Sequence, residues 1–343
     1  MNLRAFVKRH KMLEYCMRCI MGLKNEKMID AVLAEGSAFN YIRMNEYGES
    51  NVDKNLYIME DFYYQNGFFA LFINVLSRLA FAERYALIPV VLFNEQCAYF
   101  QPEGIDGIKN AFEYYFEQVS PISVFEAHVS KNVFLSHAGH EKVIKQHNTY
   151  QITPDDYVEY ARIQKKYIRI RACLKDEFDK ALQKNLSPNT LGVHVRQTDF
   201  NTHLKGHPKS FSPQEYLSRV KDVMALQGFS TVFLATDDSS VIELFRSELG
   251  QRLWYYEDAY RETGNVGVHF SQNDRTNHKY LLGKEVLREV VTLSACDGFI
   301  GCRSNVSICT QIWKISLDKS FRYIEILDKG THSSGKIFKR KTE

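Results

Sequence analysis

No run of about 20 apolar residues occurs in the chain, so no segment is long enough to cross a bilayer as a helix. A secretory signal pattern is also missing, because charges interrupt Met12 to Leu23 before a hydrophobic stretch develops, and a cytoplasmic location is expected. Cysteine is scarce and odd in number: the seven residues at 16, 19, 97, 173, 296, 302 and 309 fit reduced thiols better than a disulfide framework. Cys16 and Cys19 form a CxxC, but no second pair accompanies it, and neither zinc nor redox use is expected there. A net charge of +3 over 343 residues makes no general case for a nucleic-acid partner. The paired glycines of a dinucleotide fingerprint are missing from the strand-to-helix turns, which argues against a nicotinamide or flavin enzyme. His194, His203 and His207 have no fitting carboxylate or thiol nearby in sequence to complete a zinc set, so no metal is expected. The Asn185 and Asn305 sequons carry no meaning in a chain that is not secreted.

What the chain does contain is alternation. Its length suits two domains, and the apolar pattern divides it into a basic helical segment at 1–34, an α/β domain at 35–187, a second α/β domain at 188–330 and a basic tail at 331–343. In the first domain, Asn55 to Glu60 reads as a strand, Phe68 to Glu83 as a helix and Ala86 to Phe93 as a buried strand, a unit that favours a parallel sheet. Asn110 to Gln118 is expected to be an aromatic-rich core helix, and Val133 to Leu135 a short strand. A single long helix is expected from Asp155 to Leu186, ending before Ser187-Pro188-Asn189. The second domain repeats the alternation. Ser212-Pro213-Gln214-Glu215 is a capping box that opens a helix closed by Gly228. Strands are expected at 231–235, 253–256, 298–301 and 321–327, with helices opening at Ser239, Lys279 and Ser304.

The stretch from Leu191 to Asn201, LGVHVRQTDFN, is the most informative. Leu191, Val193 and Val195 alternate as in a buried strand, which then runs into His194, Arg196, Thr198 and Asp199. In an open α/β sheet the ligand lies beyond the carboxyl ends of the strands, where Arg196 can grip a phosphate through paired N–H bonds. A surface ion pair with Asp199 is the plain alternative. Two more strand ends carry polar clusters, at Thr236-Asp237-Asp238-Ser239 and Arg303-Ser304-Asn305, and right-handed crossovers bring all three to one sheet edge. Ser304 and Asn305 stand at a helix start, suited to an anion or simply to capping. Asp237 and Asp238 fit a helix cap or a ribose contact better than a divalent metal, since adjacent carboxylates point apart.

HVRQTD at 194–199, FLATDD at 233–238, GVH at 267–269 and DGFIGCRSNVS at 297–307 together resemble the α-1,6-fucosyltransferase group, its nodulation-factor relatives and, more distantly, protein O-fucosyltransferases. The likeness spans about 188–318, and Gly67 to Arg84 loosely resembles the opening loop and helix of that family's first domain. It implies two Rossmann-like domains facing a cleft (GT-B-like) and an inverting, metal-independent transfer from GDP-fucose to a glycan, with no cofactor. It also implies that Arg196 stabilises the leaving GDP and that His194, Asp237, Asp238, Ser304 and Asn305 lie along the donor. Asp199 falls on a position important in the family, and Glu289 stands where the family has an acidic residue near guanine. Two departures stand out: Gln197 occupies a position often held by a second Arg, and no carboxylate occurs between Asp199 and Glu215, where the α-1,6 enzymes carry a candidate base. That loop offers His203, Lys205 and His207, and His203 joins Arg196 and Asp199 as a candidate catalytic residue. The expected setting is bacterial surface-polysaccharide or lipopolysaccharide synthesis, with the basic ends touching the inner membrane. Two alternatives are a different nucleotide-sugar donor on the same fold and a non-catalytic nucleotide-sugar-binding partner that lost its base.

Overall fold

The computed structural model describes residues 43–60, 62, 66–136, 152–197, 208–262, 267–268, 271 and 273–334, together with His10, Met12, Leu13, Cys16, Met17 and Ile20. By internal contacts the chain divides into two units. One comprises 1–66, 71–148 and 166–169, the other 67–70, 149–165 and 170–343.

The first unit holds a four-stranded sheet ordered β1-β4-β2-β3, from β1 (Arg43–Asn45), β2 (Leu56–Met59), β3 (Ile88–Val91) and β4 (Val133–Ser136). β2 runs parallel to both β3 and β4, while β1 is an antiparallel edge that the apolar pattern does not announce. Helix α1 (Phe68–Arg84) buries Leu71, Phe72, Val75, Leu76 and Leu79, the face its periodicity predicts. The expected helix over Asn110 to Gln118 is only a 3-10 turn, Ala111–Tyr114. Asn110 diverts its side chain to cap that turn and to pair with the β3 backbone, donating to Val91 O at 2.7 Å and accepting from Phe93 N at 2.8 Å. The aromatics Phe112, Tyr114, Tyr115 and Phe116 are buried core.

The long helix expected from Asp155 to Leu186 is two: α3 (Pro154–Tyr167) and α4 (Ala172–Asn185), following the single turn α2 (Val124–Ala127). No proline or glycine marks the break. Instead the Arg169 carbonyl accepts from Glu117 N at 2.9 Å, Ile168 is buried, and Arg171 adopts an extended backbone ahead of α4. A tertiary contact has taken a backbone acceptor that helical propensity had assigned locally.

The second unit is a five-stranded, all-parallel sheet ordered β7-β6-β5-β8-β9, from β5 (Thr190–Val195), β6 (Thr231–Thr236), β7 (Leu253–Trp254), β8 (Gly298–Cys302) and β9 (Tyr323–Leu327). Helices α5 (Pro213–Gln227), α6 (Ser239–Leu249), α7 (His278–Ala295) and α8 (Asn305–Ser316) alternate with the strands. The capping box at Ser212 and Glu215 is formed, and Gly228 closes α5 in the left-handed conformation, with φ 69°. Leu191, Val193 and Val195 share a core with Val220 and Val223 of α5 and Val241 and Phe245 of α6. On the other face of β5, Gly192 lies against Leu293 and Cys296, so that α7 closes over the sheet.

Gly298 permits the tightest approach. A Cβ there would stand 2.3 Å from Phe229 Cζ and 3.0 Å from Leu191 Cδ1. Gly298→Ala is therefore expected to lower stability by about 1–3 kcal/mol through overpacking. Urea unfolding checks this, and a loss below about 0.5 kcal/mol, the range of a neutral surface change, would contradict it.

Candidate functional site

Sequence order reverses between β5 and β8. β6 and β7 build outward on one side of β5, and β8 and β9 on the other. Such a switch point leaves a crevice beyond the carboxyl ends of the two central strands, because the connections leaving them part in opposite directions. His194, Arg196 and Gln197 leave β5 there, Asp237 and Asp238 leave β6, and Arg303, Ser304 and Asn305 leave β8.

His194 is buried, and its Nδ1 stands 3.5 Å from Ser304 Oγ, a contact at the outer limit of a hydrogen bond across the switch point. Burial, followed by the neighbouring Arg196 cation, pushes its pKa down to about 3. The imidazole is therefore neutral at any physiological pH and a poor proton acceptor. Ser304 caps α8. Its hydroxyl accepts from Ser307 N and donates to Ser307 Oγ, each at 3.1 Å. The first turn still leaves the N–H groups of Asn305 and Val306 without intrahelical acceptors, at the positive end of the helix dipole and beside the switch point. Half-buried Asn305 begins that turn.

Arg196 is half-buried at the strand end, close enough that its cation helps to lower the pKa of His194 and partly opposes the rise that burial imposes on the Cys302 thiol. The residue after it is fixed twice. Gln197 N donates to Asp237 Oδ1 at 3.0 Å, and its side-chain amide donates to Phe211 O at 2.7 Å. Gln197 is buried, so a neutral amide holds this position where a second arginine would carry a desolvation cost. Asp237 is thus a brace for the Arg196 turn. Asp238 caps α6, accepting from Ser240 N at 2.8 Å and Ser240 Oγ at 2.7 Å. The cap is the alternative the sequence offered beside a donor contact, and here it occupies one carboxylate oxygen. Asp199 and His203 lie outside the described residues.

Glu289 projects from α7 with its side chain 13% exposed, and its Oε1 lies 3.9 Å from an Arg261 nitrogen. Burial pushes its pKa up to about 7, against the opposing pull of Arg261 and Arg288. Both arginines are engaged elsewhere. Arg261 donates to the carbonyls of Ala259 and Tyr256, each at 2.9 Å, and Arg288 forms a fork with Asp258 at 3.0 and 2.6 Å while stacking 3.8 Å over Tyr256. Glu289 therefore keeps acceptor capacity that neither cation saturates.

Asp258, Tyr260, Arg261 and Arg275 were not singled out by sequence reasoning. Arg275 forks onto Glu285 at 2.6 and 3.1 Å and donates to His278 Nδ1 at 2.8 Å, while Tyr260 N donates to Glu285 at 3.1 Å. Glu262 N donates to Asp237 O at 3.0 Å, which ties this segment to the β6 exit. Glu285, Arg288 and Glu289 at helical spacing were the available signal. Among the described residues no group of three or more His, Cys, Asp or Glu is placed to hold a metal ion.

No family model matches the sequence, and no curated protein matches it. Among solved structures the chain is similar to NodZ α-1,6-fucosyltransferase soaked with GDP-fucose, at 15% identity and a TM-score of 0.46 over 76% of this chain and 93% of that one. It is also similar to fucosyltransferase NodZ from Bradyrhizobium, at 16% identity and a TM-score of 0.45 over 76% and 93%. POFUT1 in an apo form gives 13% identity and a TM-score of 0.47 over 79% and 98%.

Proposed function

We propose that the chain is an inverting glycosyltransferase that moves fucose from GDP-fucose to a glycan acceptor without a metal. The observation that carries this reading is the switch point itself, where a half-buried arginine follows β5 and the start of α8 follows its parallel neighbour β8. A guanidinium and a helix N-terminus are two fixed sources of positive potential, suited to a diphosphate whose charge grows as it leaves.

In the transfer, an acceptor hydroxyl oxygen attacks the anomeric carbon of the sugar and the bond from that carbon to the β-phosphate oxygen breaks. The electron pair goes to GDP, where Arg196 and the α8 terminus receive the charge. The hydroxyl proton goes to a base. His194 is unsuited to that role, because burial keeps its proton affinity far too low. His203 is our assignment, and Asp199 its neighbour in the loop. Glu289 reads the guanine edge, where a carboxylate accepts both N–H groups. A bacterial surface-polysaccharide acceptor, acted on in the cytoplasm, completes the proposal.

Purified protein is expected to melt at higher temperature with GDP or GDP-fucose than with UDP or dTDP, because ligands that bind only the native state stabilise it. A larger shift with UDP or dTDP would transfer the proposal to another donor. Release of fucose or its transfer from GDP-fucose then separates an enzyme from a binding partner, which would bind and never turn over.

A further inference from the structure

One buried cation of the second unit is held in place with hydrogen-bond donors to spare. The Arg261 side chain is only 8% exposed, and a guanidinium carries five N–H groups. Two of them donate to the carbonyls of Ala259 and Tyr256, each at 2.9 Å. The buried Nε finds no acceptor among the described residues. The carboxylate nearest to pairing with it there is Glu289, whose Oε1 stands 3.9 Å away, beyond hydrogen-bonding reach. Arg288, the other cation that acts on Glu289, differs: Asp258 takes its fork and Tyr256 covers its face. Arg261 is also fixed by its backbone, since Glu262 N, on the next residue, donates to Asp237 O at the β6 exit at 3.0 Å. Buried donors are nearly always satisfied, so unspent N–H groups beside an unspent carboxylate point to a ligand that offers the complementary pair.

We infer that Arg261 selects the 6-oxo group of the donor's base, a terminal N–H donating to guanine O6 while Glu289 accepts from N1–H and the 2-amino group. The inference rests on the reading of Glu289 as the group that meets guanine. O6 and N1–H are neighbours on the Watson–Crick edge, so their partners must be a donor beside an acceptor, which is how Arg261 and Glu289 stand. Adenine reverses both. Its 6-amino group would face a cation and its unprotonated N1 a carboxylate, leaving two buried charges without partners.

Calorimetric titration above the Glu289 pKa of about 7 tests this. The wild type is expected to bind GDP about tenfold or more tightly than 6-thio-GDP, in which sulfur, a weak acceptor, replaces O6. ADP should bind more weakly still. Arg261→Met removes the N–H groups at similar length, and it should weaken GDP by about 10- to 100-fold while holding GDP and 6-thio-GDP nearly alike. Its preference for GDP over inosine diphosphate, which Glu289 sets through the 2-amino group, should stay at the wild-type value. Arg261→Lys should recover part of the preference for GDP over 6-thio-GDP. If Arg261 only supported the backbone of its turn, the methionine variant would weaken all these nucleotides by one common factor, and that result would overturn the inference. So would equal binding of GDP and 6-thio-GDP by the wild type, a measurement that requires no variant to fold. A wild type that prefers GDP to UDP yet holds the thio analogue equally removes this inference alone; one that binds no guanine nucleotide removes the donor reading with it.

Discussion

Arg196→Ala is expected to lower kcat with GDP-fucose by about 100- to 1,000-fold, the usual cost of removing one preorganised donor aimed at developing charge. The loss should fall on kcat more than on KM. Both ground state and transition state present the diphosphate, but negative charge accumulates on the β-phosphate oxygen only as the sugar departs, so an interaction that grows in the transition state is lost mainly from turnover. Arg196→Lys should recover only part of the rate, since an ammonium restores the charge and not the paired N–H geometry. The structural surroundings make the comparison clean. Gln197 and Asp237 fix the backbone beyond position 196 through the main chain and the Gln197 amide, so truncation of the Arg196 side chain leaves those ties standing. Steady-state kinetics on the two variants measures both effects, with the melting-temperature shift in GDP confirming that each still folds. Near-normal turnover in Arg196→Ala would remove the central electrostatic element of the mechanism.

The parts of this arrangement that were legible in sequence are those fixed locally. The alternation at 191, 193 and 195 gave the strand, the capping box at Ser212 gave the start of α5, and the polar residues after three strands gave the one sheet edge that they share. Where side chains or backbone groups take distant partners, the pattern misleads. Helical periodicity runs without interruption through 168–171, and only the hydrogen bond from Glu117 reveals why the helix stops there. Gln197 reads as a missing cation until Asp237 and Phe211 are placed around it, at which point it is a buried strut. His194 is a plausible base by residue type alone. Its burial on the α7 side of β5, next to Arg196, is what disqualifies it. The ion pairs of Asp258 with Arg288, and of Arg275 with Glu285 beside His278, follow no motif. Periodicity cannot see such pairs, since each joins a residue outside the helix to one on α7.

Glu289 should make GDP binding depend on pH in a direction opposite to its effect on stability. Its ordinary pKa of 4.5 is pushed up to about 7 in the fold, chiefly by burial. Between those two values the folded chain holds a proton that the unfolded chain has released, so this group's contribution to stability falls as pH rises from 4.5 to about 7 and is constant above. Binding runs the other way. Guanine offers N–H donors on its Watson–Crick edge, which only the ionised carboxylate can accept at both oxygens. GDP must therefore bind the deprotonated form, and affinity should weaken by about tenfold for each pH unit below the group's pKa, levelling off above it. Glu289→Gln is expected to bind GDP about 10- to 100-fold more weakly at high pH, the worth of hydrogen bonds to a charged acceptor, and to lose the pH dependence belonging to this site. Inosine diphosphate, which lacks the 2-amino group, provides the selective probe: the wild type should prefer GDP, and the glutamine variant should discriminate much less. Calorimetric titration of both nucleotides across this pH range gives the slopes, and subtracting the variant's profile removes every other titrating group. An unchanged preference for GDP in Glu289→Gln, with the same pH slope as the wild type, would show that the base is read elsewhere. The raised pKa would then reflect only the burial of a carboxyl on α7, which Arg261 and Arg288 offset in part.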